Sequence, residues 1–378
     1  MTNSATASRL GSASIHRDRL RRAAGAAAER GIDALLITPS EDYAYLLGYR
    51  APAMERLTCL VVPAEGEPAL VVPRLEEPLA RHELDGLEHE IEVLPWDETD
   101  DPIQLVRGLV GGALRVALQD QMWARFALRL RAALDPAELV AAGPTMSGLR
   151  RVKSPEEIDL LRAAAQAADR AMLAIVAEPL ADRVESEVSR RIRELLIQAG
   201  HDDAGFAIVA SGPNSASPHH SAGSRRIDAG DAIVLDIGGT RSGYTSDTSR
   251  TAFIGDPPAD FLALFEVLRE AQAAACAAVR PGITGAELDA VAREIITEAG
   301  YGDAFLHRTG HGIGLETHEE PYIVASNHEP LVEGNVFSIE PGIYIRDTWG
   351  ARIEDIVACT ADGGERLNTT STELYVVA

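Results

Sequence analysis

From Ile15 the apolar positions of "IHRDRLRRAAGAAAERG" recur at helical spacing and stop at Gly31. The short apolar run "DALLIT" then predicts a strand. "TCLVVPAEGEPALVVP" predicts a hairpin turning at Glu65–Gly66, and "LRVALQD" predicts a further strand. Residues 15–150 are therefore expected to form an α/β domain. The segment before them, residues 1–14, is rich in Ser, Ala and Thr and is expected to be disordered.

The pattern changes near "AAGPTMSGLRRVKSPEEID". Ser154 suits an N-cap, Pro155 the first helical position, and Glu157 the third residue of a capping box. A long Ala-rich helix is expected to run to about Ala177, opening a second domain over residues 151–378. Within that domain, "ESEVSRRIRELLIQAG" (185–200) aligns with "GAELDAVAREIITEAG" (285–300). The matches include Glu187/Glu287, Arg193/Arg293, Glu194/Glu294 and Gly200/Gly300. Both segments end at Gly in the manner of a helix C-cap and run on into strand-like sequence. Two helix-plus-hairpin halves facing a central cleft are the expected result.

A chain of 378 residues has room for two such domains and a sizeable core. Its net charge of −23 opposes binding to nucleic acid or to an anionic membrane. Cys59, Cys276 and Cys359 are far apart and form no C-x-x-C, which fits a reducing compartment. The N-terminus has no apolar core of a signal peptide, and no run approaches the ~18 apolar residues of a membrane span. The chain is expected to be cytoplasmic.

The stretch "VLDIGGTRSGYTSDTSR" (234–250) is ambiguous taken alone. Asp-x-Gly-Gly-Thr after an apolar run suits the phosphate loop of a sugar kinase. Such a loop belongs near the start of a domain and needs a second Asp-Gly loop later; this one lies deep in the second half. The other reading places Asp236 at a strand end and Asp247 on the returning strand, across a hairpin around metal. Two further acids sit in β-patterned runs, Glu340 in "NVFSIEPGIY" and Glu354 in "GARIEDIVAC". A carboxylate in such a run is expensive to bury unless it is paired or metal-bound. Between the two pairs lies "HRTGHGIGLETHEEP", with His307, His311 and His318. Its glycines allow close backbone approach, and the spacing does not match H-E-x-x-H.

Four carboxylates and a neutral imidazole balance two divalent cations. An oxygen-rich set with one nitrogen suits Mn²⁺, with Co²⁺, Fe²⁺ or Zn²⁺ as substitutes. Two such ions generate a nucleophile at neutral pH and polarise a carbonyl.

The ordered set Asp236, Asp247, His311, Glu340 and Glu354 resembles the metallopeptidase family of methionine aminopeptidase, aminopeptidase P and prolidase. The similarity is greatest to bacterial Xaa-Pro dipeptidases and short aminopeptidase P-like enzymes, through "SGPNSASPHH", "HRTGHGIGLETHEEPYI" and "FSIEPGIY". The resemblance implies an α/β (α+β) architecture: a creatinase-like N-terminal domain and a "pita-bread" catalytic domain with internal pseudo-two-fold symmetry. It implies that Asp247 and Glu354 bridge two ions, that Asp236 holds one, and that His311 and Glu340 hold the other. Glu340 would also shuttle a proton while a metal-bridging hydroxide attacks the scissile carbonyl. His318 would bond that carbonyl, and His219, rather than His220, would position the substrate. Arg352 would clamp the carboxylates, and Tyr344 would line the pocket and contact substrate. The implied activity is hydrolysis of small Xaa-Pro peptides by a homodimer. A prolidase is favoured over an aminopeptidase P-like enzyme, and both over a creatinase-like hydrolase of a non-peptide C–N bond. A dipeptidase needs a cation for the free C-terminal carboxylate, for which Arg308 and Arg346 are candidates.

Overall fold

A computed structural model describes residues 11–377. The chain divides into two units, residues 1–150 and 151–378. Residues 1–10, most of the segment expected to be disordered, lie outside the described residues. Ala13 and Ser14, assigned to that segment, instead open the first helix, Ala13–Glu29. Apolar positions in that helix bury Leu20, Ala23 and Ala27, which sets its length.

The first unit is built on a six-stranded mixed sheet. In chain order its strands are β1 (Ala34–Ile37), β2 (Cys59–Pro63), β3 (Ala69–Pro73), β4 (Glu92–Trp96), β5 (Arg115–Leu118) and β6 (Glu138–Ala141). They lie in the order β4-β3-β2-β1-β5-β6. The β2–β3 hairpin turns at Ala64–Gly66 as the sequence pattern requires, with Leu60 opposite Leu70. β1 and β5 are parallel neighbours, and the parallel pairs β3–β4 and β5–β6 are each joined by a crossover helix, Glu77–Glu83 and Ala124–Ala133. The apolar core runs through Leu36, Val61, Val71, Phe126 and Leu130.

The second unit repeats one arrangement, a helix pair followed by an antiparallel sheet. Helix Pro155–Val176 starts on the complete Ser154/Glu157 capping box, with Pro155 in the first turn. It is followed by helix Glu185–Gln198, and then by β7 (Asp203–Ser211), β8 (Ala232–Arg241), β9 (Tyr244–Thr245) and β10 (Thr248–Ile254). The second pass begins with helices Ala259–Ala278 and Gly285–Glu298. Its strands are β11 (Gly310–Gly312), β12 (Glu319–Ile323), β13 (Val336–Ile339), β14 (Gly342–Ile345), β15 (Trp349–Arg352), β16 (Asp355–Thr360) and β17 (Gly363–Arg366). A last strand, β18 (Tyr375–Val377), returns to the first sheet beside β10. The two sheets run β18-β10-β8-β7 and β12-β11-β13-β16-β17. The helices 185–198 and 285–298 have equal length and begin and end at matched positions of the repeat. Each packs its own core, around Ile192 and Leu235 in one half and Leu288 and Phe337 in the other. Among the described residues no helix is long and apolar enough to cross a membrane.

Candidate metal centre

The two sheets of the second unit meet where the chain crosses between them. Glu354 N donates to Ser249 O at 3.0 Å, and Arg352 N donates to Thr251 Oγ1 at 3.0 Å. On the first sheet, Asp236 lies in the middle of β8, opposite Ser249, and not at a strand end as its sequence context suggests. Asp247 occupies the break between β9 and β10. On the second sheet, β13 and β16 are antiparallel with Ile339 opposite Asp355. That register sets Glu340, just past β13, beside Glu354, just before β16. His311 lies in β11, where the pairing with β12 shifts register immediately after it.

The hairpin around Asp236 and Asp247 turns at Ser242–Gly243, both with positive φ. Gly238 and Gly239 are inside β8. A Cβ on Gly238 would stand 2.2 Å from Ser246 O, and one on Gly239 2.3 Å from Asp203 O. These glycines serve close backbone packing beside the acids; the phosphate-loop reading has no place here.

Side chains from all these elements converge. One ligand atom from each of Asp236, Asp247 and Glu354 lies within 4.8 Å of the others; the same holds for His311, Glu340 and Glu354, and for Asp247, His311 and His318. Asp236, Asp247 and Glu354 are buried. Each has one buried carboxylate oxygen with no hydrogen-bond partner: Asp236 Oδ1, Asp247 Oδ1 and Glu354 Oε1. Burial, reinforced by the neighbouring carboxylates, pushes Asp247 and Glu354 well above the usual carboxylate range. For Glu340 burial acts in the same direction, but the hydrogen bond and charge of His311 outweigh it and hold it low. His311 Nδ1 is 3.1 Å from Gly312 O. With Nδ1 as the donor, Nε2 faces the cluster, 3.2 Å from Glu340 Oε1 and 3.7 Å from Asp247 Oδ2.

Partnerless acceptors that repel one another at a buried point are unfavourable by themselves. Divalent cations resolve both defects, and an oxygen-rich donor set with one imidazole is hard-cation chemistry. The residues present therefore fit a metal centre.

Behind the carboxylates stands Arg352, itself buried. It donates from Nη2 to Asp236 Oδ2 at 2.6 Å, from Nε to Ser249 Oγ at 2.8 Å and from Nη1 to Tyr344 Oη at 2.9 Å. Ser249 Oγ in turn donates to Glu354 Oε2 at 2.8 Å, so one serine ties Arg352 to a second acid. Tyr344 does not line the cavity as expected from the resemblance. It is 4 % exposed, its hydroxyl held between Arg352 and His307 Nε2. Burial pushes that phenol up to about 12. Arg308 O, 2.7 Å from His307 Nδ1, can only accept, so the His307 proton is on Nδ1 and Nε2 accepts from the Tyr344 hydroxyl.

Above the acids opens a cavity of about 700 Å³, within the size range of small-ligand sites. His219 and His318 reach into it, and Phe206, Ile208 and Pro218 supply an apolar wall. His318 meets His311 edge-to-face with ring centroids 4.1 Å apart. Burial, then the His311 charge, lower its pKa to about 4, so it is neutral at neutral pH. His219 and its neighbour His220 part company. His219 lines the cavity, while His220 Nε2 sits 2.8 Å from Glu185 Oε2. Buried Glu185 also accepts from Ser211 N, Ser211 Oγ, Asn214 Nδ2 and Gly223 N, which fixes the loop that carries His219.

Sequence reading missed Ser249 and Glu185. Ser249 carries a faint signal, lying two residues after Asp247 in a strand pattern. Glu185 carries none, since it reads as an ordinary first-turn helix acid.

Comparison with known proteins agrees with this geometry. Residues 159–361 match the model of metallopeptidase family M24, and residues 19–152 match the Creatinase/Prolidase N-terminal domain. The chain is similar to the crystal structure of dipeptidase PepE from Mycobacterium ulcerans, with TM-score 0.93 and 45 % identity, covering 97 % of this chain and 99 % of that one. It is also similar to a prolidase from Thermococcus sibiricus, with TM-score 0.89 and 35 % identity over 95 % and 98 % of the two chains. The Xaa-Pro dipeptidase of Pyrococcus furiosus is 37 % identical over 309 residues, covering 82 % of this chain and 86 % of that protein. With both domains matched and the acid cluster in place, this chain belongs to metallopeptidase family M24 and is a hydrolase.

Proposed function

We propose that the chain is a Xaa-Pro dipeptidase in which Asp236, Asp247, His311, Glu340 and Glu354 hold two divalent cations, Mn²⁺ first among the candidates. In this reading residues 15–150 are the creatinase-like domain and 151–378 the pita-bread catalytic domain. The observation that carries it is the convergence of three partnerless, buried carboxylate oxygens with His311 Nε2 beneath a peptide-sized cavity. Asp247 and Glu354, central to the cluster, would help to hold both ions, with Asp236 for one and His311 and Glu340 for the other. Cations bound there supply Lewis acidity that activates water at neutral pH and polarises a carbonyl.

The protein groups do the rest. Glu340 takes the proton of the attacking water and returns it to the leaving nitrogen. That transfer matters for an X–Pro bond, whose tertiary nitrogen must be protonated as it departs. Neutral His318 donates to the scissile carbonyl oxygen as negative charge develops there. His219, on its Glu185-braced loop, orients the substrate. Arg352 keeps Asp236 and, through Ser249, Glu354 in their ligand positions. The wall of Phe206, Ile208 and Pro218 suits a pyrrolidine ring.

Support for proline comes from similarity to proteins named Xaa-Pro dipeptidase and prolidase. The homodimeric state, which rests on the family resemblance, and the cytoplasmic location, which rests on the cysteine spacing and apolar patterning of the sequence, belong to the same reading; sedimentation velocity checks the first. The activity is tested by Mn²⁺-dependent release of proline from Gly-Pro against cleavage of Gly-Pro-Ala. Turnover confined to the dipeptide is the expected result. Efficient cleavage of the tripeptide makes the enzyme an Xaa-Pro aminopeptidase, and turnover of neither sinks the proline assignment.

A further inference from the structure

We propose that Lys153, through a buried ion pair with Glu319, is a positioning residue that holds His318 in place for catalysis. The inference rests on the reading of His318 above, as donor to the scissile carbonyl, and names the group that keeps it there.

Lys153 is the only lysine among the 35 Lys and Arg residues of the chain. Its side chain is 1 % exposed, and Nζ donates to Glu319 Oε1 at 2.7 Å. The Glu319 side chain is itself only 7 % exposed. A lysine head is a compact point charge, whereas a guanidinium is a wide planar fork. An enclosed contact to one oxygen therefore favours lysine. Both partners lie in the second unit, 166 residues apart in sequence.

The backbone at each end of the pair is anchored. Lys153 N donates to Gly334 O at 2.8 Å, Val152 pairs with Asn335, and Asn335 Nδ2 donates to Arg151 O at 3.0 Å. Asn335 leads directly into β13, the strand that precedes Glu340. Glu319 opens β12 opposite Gly312, just past the register shift that follows His311. Its carboxylate lies over Gly314, where a Cβ would stand 2.5 Å from Oε1. The ion pair thus ties β12 to the base of β13, with β11 between them in the sheet.

His318 immediately precedes Glu319, and successive side chains of extended backbone turn to opposite sides. Glu319 is buried, while His318 faces the cavity. Among the described residues none hydrogen-bonds the His318 ring, which rests edge-to-face on His311. Its place is therefore set by the backbone on either side. Upstream, Thr245 Oγ1 holds the loop, 3.0 Å from Gly314 O and 3.2 Å from Glu316 O. Downstream, the fixed point is Glu319, and the Lys153 ammonium offsets the cost of burying that carboxylate. Without the cation Glu319 turns toward water, and the adjoining His318 moves with it. A misplacement of about 1 Å costs about 10²-fold in rate when the group must meet a developing charge.

The test is a double-mutant cycle on the full-length, Mn²⁺-loaded enzyme, with a peptide panel that includes Gly-Pro and Gly-Pro-Ala. His318→Ala should lower kcat about 10²- to 10³-fold, as for the loss of one oxyanion donor. Lys153→Met should lower kcat about 10- to 100-fold, with KM and calorimetric Mn²⁺ affinity near the wild type. Added to His318→Ala, Lys153→Met should cost no further kcat. In metal-free enzyme labelled at histidine, the His318 ring resonances should also shift in Lys153→Met, since the ring leaves its seat on His311. Should that variant not fold, Lys153→Met/Glu319→Met removes both charges, an exchange that buried pairs tolerate, and the same kcat loss is expected.

Wild-type kcat in either variant, an equal loss with and without His318, unshifted ring resonances, or a matching fall in Mn²⁺ affinity each overturns the proposal. In all these cases a large loss in His318→Ala leaves the carbonyl-donor reading standing. Unaltered kcat in His318→Ala refutes that reading, and the proposal falls with it. Turnover confined to peptides without proline refutes the proline assignment alone, and the cycle is then read on the peptides that are cleaved. Cleavage of none overturns both.

Discussion

Arg352 donates to Asp236 at 2.6 Å across 116 residues of chain, with side chains only 3 % and 12 % exposed. Breaking a buried pair from one side leaves its partner uncompensated, at a cost of about 3–5 kcal/mol. Here the orphaned partner belongs to the acid cluster. Arg352→Met is expected to lower the urea midpoint of the metal-free protein and to weaken Mn²⁺ binding about 10- to 100-fold, as for other supports of metal ligands. Calorimetric titration with Mn²⁺ reads the second effect; unaltered affinity would remove Arg352 from the centre.

The raised carboxylates predict an unusual pH dependence. Without metal, folded Asp247 and Glu354 hold protons that the unfolded chain releases near the ordinary value of about 4. The native state then binds more protons than the unfolded one, so stability is present at low pH and is lost as pH rises through the raised values. The melting temperature of chelator-treated protein should therefore gain a component that falls as pH rises above about 4 and that Asp247→Asn diminishes. Mn²⁺ should restore more stability at pH 8 than at pH 5, since there it competes with fewer protons. Equal stabilisation at both pH values would contradict the raised values.

Glu340 is given two duties, ligand and proton carrier. Glu340→Gln keeps the side-chain shape and an acceptor oxygen but cannot relay a proton. A fall in kcat of about 10²- to 10⁴-fold is expected, with a near-native melting temperature. Steady-state kinetics at saturating Mn²⁺ checks it, and retention of most of kcat would assign the proton transfer to another group.

Gly238 lacks room for any side chain. In Gly238→Ala the added carbon meets Ser246 O at 2.2 Å and Phe206 Cε1 at 2.5 Å. Overpacking of this kind costs about 1–3 kcal/mol. Because Ser246 precedes Asp247, the displacement also reaches the centre. Lower thermal stability together with weaker Mn²⁺ uptake is the expected pair of results, measured on one sample.

Much of this architecture could be read along the chain. The Ser154/Glu157 capping box marks a real helix start, because capping is decided by residues three apart. The helices 185–198 and 285–298 match because the same local pattern was written twice. Four acids in apolar strands stood out because burying them is unfavourable without a partner. What escaped depends on contacts between segments far apart in sequence. Asp236 reads as a strand end because its glycines look like a turn, whereas they are narrow points within β8. Tyr344 looked like a pocket residue, yet the register of β14 against β15, with Gly342 opposite Arg352, draws its hydroxyl to Arg352. Ser249 gained its importance only when β10 met the 352–354 crossing. Arg308 and Arg346 are alike as cation candidates in the sequence, and only the fold separates them, with Arg308 lining the cavity over the Tyr322 ring and Arg346 exposed.

The number of cations that the acid cluster needs to work decides most directly between a two-cation centre and its alternatives. Proline release from Gly-Pro, followed while metal-free enzyme is titrated with Mn²⁺, tests that count. Activity should be absent without metal and should rise until two equivalents per chain are bound. Turnover in the metal-free enzyme, or full activity at one equivalent, would contradict a two-cation centre.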